Sequence, residues 1–249
     1  MKFMCLADKM KMYENLNKKY LMPNQYVLMR LDGRSFSNFT KKYFKKPFDV
    51  NFTSMMFDTM NYLVDNISGC ICGYTQSDEI TLLLTDKQTK NQEGWFNYRL
   101  DKMCSIAASM ATAYFNMLFR TYWDNTYCDD KYPYPLFDCR VWQVPNKEEV
   151  KNAFLWRQRD CIRNSILQYA YSFFSHNQMM YKNTDELKKM IKDAGYDWDN
   201  LDNDIKYGIF YFPKLWDGEE YVKSYYNYKM EDSNLVSAFN TLFNSEYEY

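Results

Sequence analysis

The order of apolar patterns between residues 25 and 145 is the feature that most restricts the possible folds of this chain. Alternating or continuous apolar runs predict strands, and apolar residues that recur every three or four positions predict helices. In chain order the patterns predict a strand at Tyr26–Leu31, a helix at 51–65, strands at Ile67–Tyr74 and Glu79–Leu84, a helix at 95–120 and a strand at Phe137–Val144. This is the order of the split βαβ unit, so we expect an α+β protein with a ferredoxin-like palm domain and added helices.

Further helical patterns stand on both sides of this unit. Residues 6–20 predict an opening helix, and residues 147–174 predict a long helix after the last strand. We therefore expect a palm domain with its N-terminal helix at residues 1–145, and a helical and mixed region at 146–249 that packs on the palm. Polymerases and cyclases both use palm domains, so the fold alone does not establish a function.

Histidine and cysteine usage restricts the chemistry that the chain can perform. His176 is the single histidine, and among the seven cysteines only Cys70 and Cys72 form a C-x-C pair, without a matching second pair. These counts disfavour a zinc site and a Ser-His or Cys-His catalytic pair, so catalysis should depend on carboxylates, cations and metal. The cysteine usage indicates reduced thiols and a cytoplasmic location, and no run of about 18 apolar residues predicts a membrane span.

Charge is distributed unevenly along the chain. The net charge is −1, yet residues 1–50 contain eleven Lys and Arg against four Asp and Glu, and residues 185–249 contain seven against fourteen. A basic arm of this kind indicates contact with phosphate, although an ordinary solvated face has the same composition.

Two carboxylates follow strand ends that the predicted fold brings together. Asp32 follows the first strand, and Asp78 lies in the turn between the second and third strands. Because the first strand lies beside the third, these side chains should converge, and two carboxylates together with substrate phosphates can hold Mg²⁺. Gly33 would let its carbonyl approach the metal closely. Side chains alternate along a strand, so we expect Asp78 to be a ligand and Glu79 to support it from behind. A plain turn at Asp32 and a cap or hairpin charge at Asp78 are the alternatives.

Five short segments in a fixed order resemble the tRNAHis guanylyltransferase family. They are residues 8–14 (DKMKMYE), residues 30–36 (RLDGRSF) followed by Lys46-Pro47, residues 73–79 (GYTQSDE), residues 137–141 (FDCRV), and residues 156–161 (WRQRDC) with Asn164. The resemblance extends over residues 6–210. One such motif would be weak, whereas five in the correct order are specific.

The resemblance implies a role for particular side chains. It implies that Asp32, the carbonyl of Gly33 and Asp78 bind two Mg²⁺ ions, with Asp32, Asp78 and Glu79 as the catalytic carboxylates. The nucleotide-binding residues that it implies are Arg30, Arg34, Ser35, Phe36, Lys46, Ser77, Arg99 and Lys102, of which Lys102 matches a lysine tied to ATP activation. It also implies contacts with RNA by Arg140, Arg157 and Asn164. A solvated surface position is the alternative for each cation.

The family's reaction adds nucleotides to the 5′ end of tRNA, in the direction opposite to ordinary polymerases. The resemblance implies GTP and ATP as substrates, tRNA as partner and a homotetramer. Eukaryotic members carry a His-Ile-Asn-Asn string that is associated with the tRNA-His anticodon, whereas residues 162–165 here are Ile-Arg-Asn-Ser. This departure resembles the guanylyltransferase-like branch of bacteria, archaea and viruses, which performs template-dependent 3′–5′ addition. A tRNA-His-specific guanylyltransferase, a palm-domain nucleotide cyclase and a non-catalytic RNA-binding module are the alternative functions.

Overall fold

A six-stranded antiparallel sheet with strand order β4-β1-β3-β2-β5-β6 forms the centre of the protein. The structure is a computed structural model, and it describes residues 5–123 and 133–244. The strands are β1 (Tyr26–Gly33), β2 (Cys70–Gln76), β3 (Glu79–Leu84), β4 (Phe137–Val144), β5 (Ile209–Trp216) and β6 (Tyr221–Tyr226). The predicted α+β palm is confirmed, because its four strands occupy the order β4-β1-β3-β2 with the first strand beside the third.

Helices cover both faces of the sheet. They are α1 (Leu6–Asn15), α2 (Phe36–Tyr43), α3 (Val50–Asn66), α4 (Leu100–Tyr122), α5 (Lys147–Ala170), α6 (His176–Met179), α7 (Thr184–Asp193), α8 (Asn203–Tyr207) and α9 (Ser233–Asn244), with 3-10 turns at Trp95–Tyr98 and Trp198–Asn200. Within the described residues, no helix is both long enough and apolar enough to cross a membrane.

The pleat of β1 separates two hydrophobic cores. Val27, Met29 and Leu31 face the core under α3 and α4, whereas Tyr26 and Leu28 face a second core under α5 and α9. Side chains alternate along a strand, so Arg30 and Asp32, which continue the row of Tyr26 and Leu28, lie on the α5 face of the sheet. The functional end of β1 is therefore covered by α5 and not by α3 or α4.

Two helices and two strands differ from the sequence-based expectation. The opening helix ends at Asn15, five residues before its predicted end, and its side chains are not buried. Helix α2 was not predicted, and it buries Phe36, Phe39 and Thr40 beneath the α3–α4 face. Strands β5 and β6 extend the palm sheet beyond β2, so the region after residue 146 contributes to the same sheet as the palm. The division at residue 145 stays an interpretation.

A buried ion pair fixes α5 on the sheet. The Arg157 Nε atom donates to Glu79 Oε1 on β3 over 2.8 Å, and its other guanidinium nitrogen donates to Asp160 over 2.6 Å. The side chains of Arg157 and Glu79 are 5% and 9% exposed. Two charges at this depth are stable only when each satisfies the other, so the pair specifies where α5 crosses β3.

Removal of one partner from this pair should destabilise the fold strongly. We expect Arg157→Met to lower the free energy of unfolding by about 3 kcal/mol, because an uncompensated buried carboxylate typically costs roughly 3–5 kcal/mol and Arg30 lies 4.0 Å from Glu79. Arg163→Met on the same helix is the control. The Arg163 side chain is 64% exposed, so its ion pair with Asp160 should contribute less than about 1 kcal/mol. Urea denaturation measures both, and equal losses would contradict the assignment.

Candidate active site

Asp32 and Asp78 converge where β1 and β3 end side by side. Asp32 pairs with Glu79 in the β1–β3 register, and the Gly33 amide donates to the Asp78 carbonyl over 3.0 Å. Ser77, with φ of 49°, begins the two-residue turn between β2 and β3, and its hydroxyl donates to Asp78 over 3.2 Å. The predicted convergence of the two carboxylates is therefore present.

The electrostatics of this pair suit a cation. Burial raises the pKa of Asp32, and the nearby Asp138 carboxylate raises it further. Burial likewise raises the pKa of Asp78, and the charge of Asp32 adds to that effect. Neither carboxylate forms an ion pair within residues 5–123 and 133–244. Carboxylates whose pKa is raised by burial and by neighbouring negative charge are stabilised in their ionised form when a cation lies beside them.

Glu79 points to the α5 face and has partners of its own. Burial raises the pKa of Glu79, and the charges of Arg157 and Arg30 oppose this effect. The Arg30 Nε atom lies 4.0 Å from Glu79 Oε2, and the Arg30 guanidinium carbon lies 5.8 Å from the centre of the Trp156 ring. Glu79 therefore holds two arginines beside the carboxylate pair, in agreement with the supporting position expected for it.

Two adjoining cavities open at this edge of the sheet. A polar cleft of about 370 Å³ is lined by Arg30, Asp32, Gln76, Ser77, Asp78, Glu79, Arg157, Asp160 and Asn164. A larger cavity of about 860 Å³ adjoins it and shares Gln76, Ser77, Asp78 and Asn164. The larger cavity lies between the α2–α3 loop and α5, and its apolar wall includes Phe44, Phe48 and Phe52. The two cavities therefore offer a polar compartment beside the carboxylates and a larger compartment with a partly apolar wall. The larger one has the size of cavities that bind small molecules.

The α2–α3 loop carries Lys46 to the cavity. The Lys46 ammonium donates to the Thr40 hydroxyl over 2.7 Å. Partial burial lowers the pKa of Lys46, and the charge of Asp78 opposes this effect. Asp49 holds the loop, because it accepts from the backbone amide of Lys45 over 2.8 Å and caps α3 through the Asn51 amide. A cation is thus placed close to Asp78 by a loop with defined hydrogen bonds.

The segment that follows Gly33 has a mixed role. Arg34 and Ser35 are exposed, and Ser35 adopts a left-handed conformation with φ of 58° before α2. The Phe36 ring is 1% exposed and lies so close to Gly33 that a Cβ atom on Gly33 would be 2.3 Å from it. Most of the Phe36 side chain therefore belongs to the core, although the residue also borders the larger cavity.

Arg99 and Lys102 do not join the other predicted nucleotide-binding residues. They lie at the start of α4, where the Leu100 amide donates to the Lys19 carbonyl and Arg99 is paired with Asp101. Strand β3 runs from Glu79 at the carboxylate end to Leu84 opposite Val27, so α4 begins at the far end of the sheet. Within one chain, Arg99 and Lys102 therefore do not share a site with Lys46, and the expectation that grouped these three cations is corrected.

The predicted RNA-contacting residues differ in exposure. Arg140 stands opposite Arg30 on β4, and its side chain is 59% exposed. Asn164 lines both cavities. Arg157 is buried by its ion pair with Glu79, so its guanidinium supports the cleft from within. Direct contact between RNA and any of the three stays a prediction.

Some residues of the site were not identified from the sequence. Asp160 lines the polar cleft and accepts from Arg157, and Thr40 accepts from Lys46. Gln168 donates to the carbonyl of Pro47 and ties α5 to the α2–α3 loop. The three-residue spacing of Arg157 and Asp160 on a helix was a usable signal, because side chains at that spacing are neighbours. The Gln168 contact spans 121 residues and has no local signal.

Known proteins resemble this chain over most of its length. The family model of tRNAHis guanylyltransferase matches residues 7–145. An uncharacterised protein of Acanthamoeba polyphaga mimivirus is 33% identical over 224 residues, which cover 82% of this chain and 75% of that protein. The probable tRNA(His) guanylyltransferase of Mus musculus is 30% identical over 151 residues, 60% of this chain. The match spans about half, 48%, of the mouse protein.

Solved structures agree with this relationship. A bacterial tRNA(His) guanylyltransferase-like protein in complex with ATP superposes with a TM-score of 0.82 at 31% identity, over 98% of this chain and 100% of that chain. A bacterial protein of the same description in complex with GTP gives a TM-score of 0.77 at 30% identity, over 96% of this chain and 100% of that chain. With the paired carboxylates at the palm edge, these matches show that the chain belongs to the tRNAHis guanylyltransferase family of nucleotidyltransferases.

Proposed function

We propose that this protein is a template-dependent 3′–5′ nucleotidyltransferase that adds GTP to the 5′ end of tRNA. The observation that carries the proposal is the Asp32–Asp78 pair at the junction of a polar cleft and a cavity of about 860 Å³. The binding of ATP and GTP by the two bacterial relatives supports a nucleoside triphosphate as the occupant of that cavity.

Mg²⁺ fits the carboxylate edge. Asp32 and Asp78 line the same polar cleft and would be the protein's carboxylate ligands, with the Gly33 carbonyl beside them. Mg²⁺ characteristically uses one or two carboxylates and takes phosphate oxygens and water for the rest. When bound, two Mg²⁺ ions would stabilise the attacking and leaving oxygens of the reaction.

The side chains of the cleft would position and neutralise the reacting phosphates. The 3′-hydroxyl of the incoming nucleotide would lose its proton and attack the activated 5′ phosphate of the RNA. The new phosphodiester bond forms as AMP leaves from an adenylylated end or pyrophosphate leaves from a triphosphate end. Lys46 would bind the triphosphate near Asp78, and Arg30 would face developing negative charge from the other side of the cleft. Fixed cations of this kind lower the barrier because they need no reorganisation during the reaction.

Substrate choice should follow the guanylyltransferase-like branch. Ile162 packs against the small core formed by α5, α7 and Trp198, and Arg163 is exposed and paired with Asp160. Ile162, which stands in place of the histidine, is aliphatic and cannot hydrogen-bond a base edge, so the site would recognise RNA shape and 5′-end pairing. Contacts between Lys or Arg and phosphate would then dominate affinity and make it salt-sensitive.

An oligomer is the expected assembly. Helix α1 buries none of its side chains, and Leu6 and Leu16, at its two ends, are 75% and 71% exposed. A ten-residue helix is marginal alone in water, so apolar contacts with another copy would stabilise it. Arg99 and Lys102, remote from the carboxylates of their own chain, would then serve a neighbouring copy, where Lys102 would assist ATP activation of the RNA 5′ end. The cytoplasmic location stays a prediction.

Removal of either paired carboxylate should abolish nucleotide addition. We expect Asp32→Ala and Asp78→Ala each to lower kcat/KM for a 5′-truncated tRNA by about a thousandfold or more, since metal stabilisation of the transition state is worth several kcal/mol. The double variant should be little worse, because groups that act as a unit are non-additive. Asp193→Ala, at the exposed end of α7 and outside both cavities, is the control. Near-normal addition of labelled GTP by either single variant would overturn the pair's role.

Removal of the Lys46 ammonium should weaken use of GTP. We expect Lys46→Ala to weaken apparent GTP binding by about 1–3 kcal/mol, the range for a lost hydrogen bond to a charged group. Lys42→Ala is the matched control, because Lys42 is exposed on α2 and packs over the Tyr43 ring outside both cavities. Steady-state kinetics with varied GTP measure the effect. Unchanged kinetics in Lys46→Ala exclude the triphosphate role.

The anticodon should have little influence on the rate. We expect 5′-truncated tRNAs with His and non-His anticodons to be extended at rates within about tenfold of each other, since the aliphatic Ile162 stands in place of the histidine. The assay compares both at one salt concentration and identifies the added nucleotides, which should match the opposite strand. A preference above about a hundredfold for the His anticodon would instead establish a tRNA-His-specific guanylyltransferase.

A further inference from the structure

Trp156 presents a large aromatic ring to solvent at the edge of the polar cleft. Its side chain is 55% exposed, whereas Phe154, two residues earlier on α5, is completely buried in the core. An exposed indole leaves much apolar surface in water, and covering that surface would contribute roughly 25 cal/mol of stabilisation per Å². A single exposed aromatic residue is ordinary, so its surroundings must indicate whether it has a function.

The arginines of the cleft hold the ring in place. The guanidinium carbon of Arg157 lies 4.2 Å from the centre of the Trp156 ring, and that of Arg30 lies 5.8 Å from it. Both arginines line the polar cleft, and both interact with the buried carboxylate of Glu79. Because Arg157 is itself fixed between Glu79 and Asp160, the indole has a rigid support that lowers the entropic cost of binding a ligand on its exposed surface.

The charges around Trp156 indicate what covers it. Arg140 stands opposite Arg30 on the edge strand β4, with a side chain that is 59% exposed. A ring held against the two arginines of the cleft, one of which stands opposite the exposed Arg140, suits a ligand with flat bases and a negatively charged backbone. Such combinations of aromatic faces and cations are typical of single-stranded nucleic-acid sites.

We propose that Trp156 is a stacking platform for the nucleobase at the 5′ end of the RNA. The inference rests on the proposed function and adds a positioning residue to it. The incoming nucleotide has a separate apolar compartment with Phe44, Phe48 and Phe52 in its wall, so its base does not need the exposed indole. Stacking on Trp156 would hold the 5′ phosphate of the RNA over the cleft that contains Asp32 and Asp78.

The first test compares RNA and GTP as varied substrates. We expect Trp156→Ala to raise KM for a 5′-truncated tRNA about 5- to 150-fold, the range for loss of one base stack, and to leave KM for GTP within about twofold. Trp156→Phe should recover most of the loss and Trp156→Leu should not. Trp216→Ala is the matched control, because Trp216 is 45% exposed on β5, beyond both cavities. Thermal unfolding verifies that each variant is folded.

The second test removes the base instead of the indole. The RNA used here has an abasic 5′-terminal nucleotide, so no base is left to stack on residue 156. Wild type, Trp156→Phe and Trp156→Leu should therefore bind this RNA with equal affinity, because two groups in contact are coupled in a double-mutant cycle. Fluorescence anisotropy measures this binding independently of catalysis. Additive losses would overturn the stacking, as would a change in KM for GTP alone or a change in oligomeric state. A wild-type protein that binds RNA but adds no nucleotide would instead overturn the proposed function.

Discussion

The hydrogen bond from the Gly33 amide to the Asp78 carbonyl joins the two strand ends on which the site depends. It extends the antiparallel pairing of β1 and β3 into the turn after β2, so the Asp32 and Asp78 carboxylates share one edge of the sheet. Such a pair of partly buried carboxylates is unfavourable on its own account, because burial raises both pKa values, the charge of Asp32 raises that of Asp78 further, and the charge of Asp138 raises that of Asp32. The backbone pairing therefore holds together two groups that would otherwise separate, which is the preorganisation that a bound cation requires.

The second constraint comes from the other side of the sheet. Arg157 and Glu79 form a buried ion pair that fixes the position of α5, and that position determines where the two cavities meet. The same pair orients Trp156 beside the cleft and leaves Arg30 in contact with both Glu79 and the indole. A small number of desolvated charges thus connects the stability of the fold with the electrostatics of the site, so substitutions here should affect folding and activity together.

The palm was predictable because its patterns are local. Strand and helix periods between residues 25 and 145 identify the split βαβ unit, and Asp32 and Asp78 follow from the pairing order of that unit. Helix α2 is eight residues long, and its short apolar face is hard to distinguish from a loop. Strands β5 and β6 lie more than a hundred residues from β2, and their joining of the palm sheet follows from long-range pairing that no short segment specifies.

The sequence by itself determined the family and the order of the palm elements, and it drew attention to Asp32, Asp78 and Lys46 as candidates, since these depend on motifs and on short-range periodicity. Only the tertiary structure decided which cations reach the carboxylates. Arg99 and Lys102 are at the far end because β3 carries the chain away from Asp78 before α4 begins. Arg157 is buried because α5 crosses Glu79, a contact across 78 residues. Charge and residue type are properties of a position in the chain, whereas desolvation and proximity arise only when distant elements pack together.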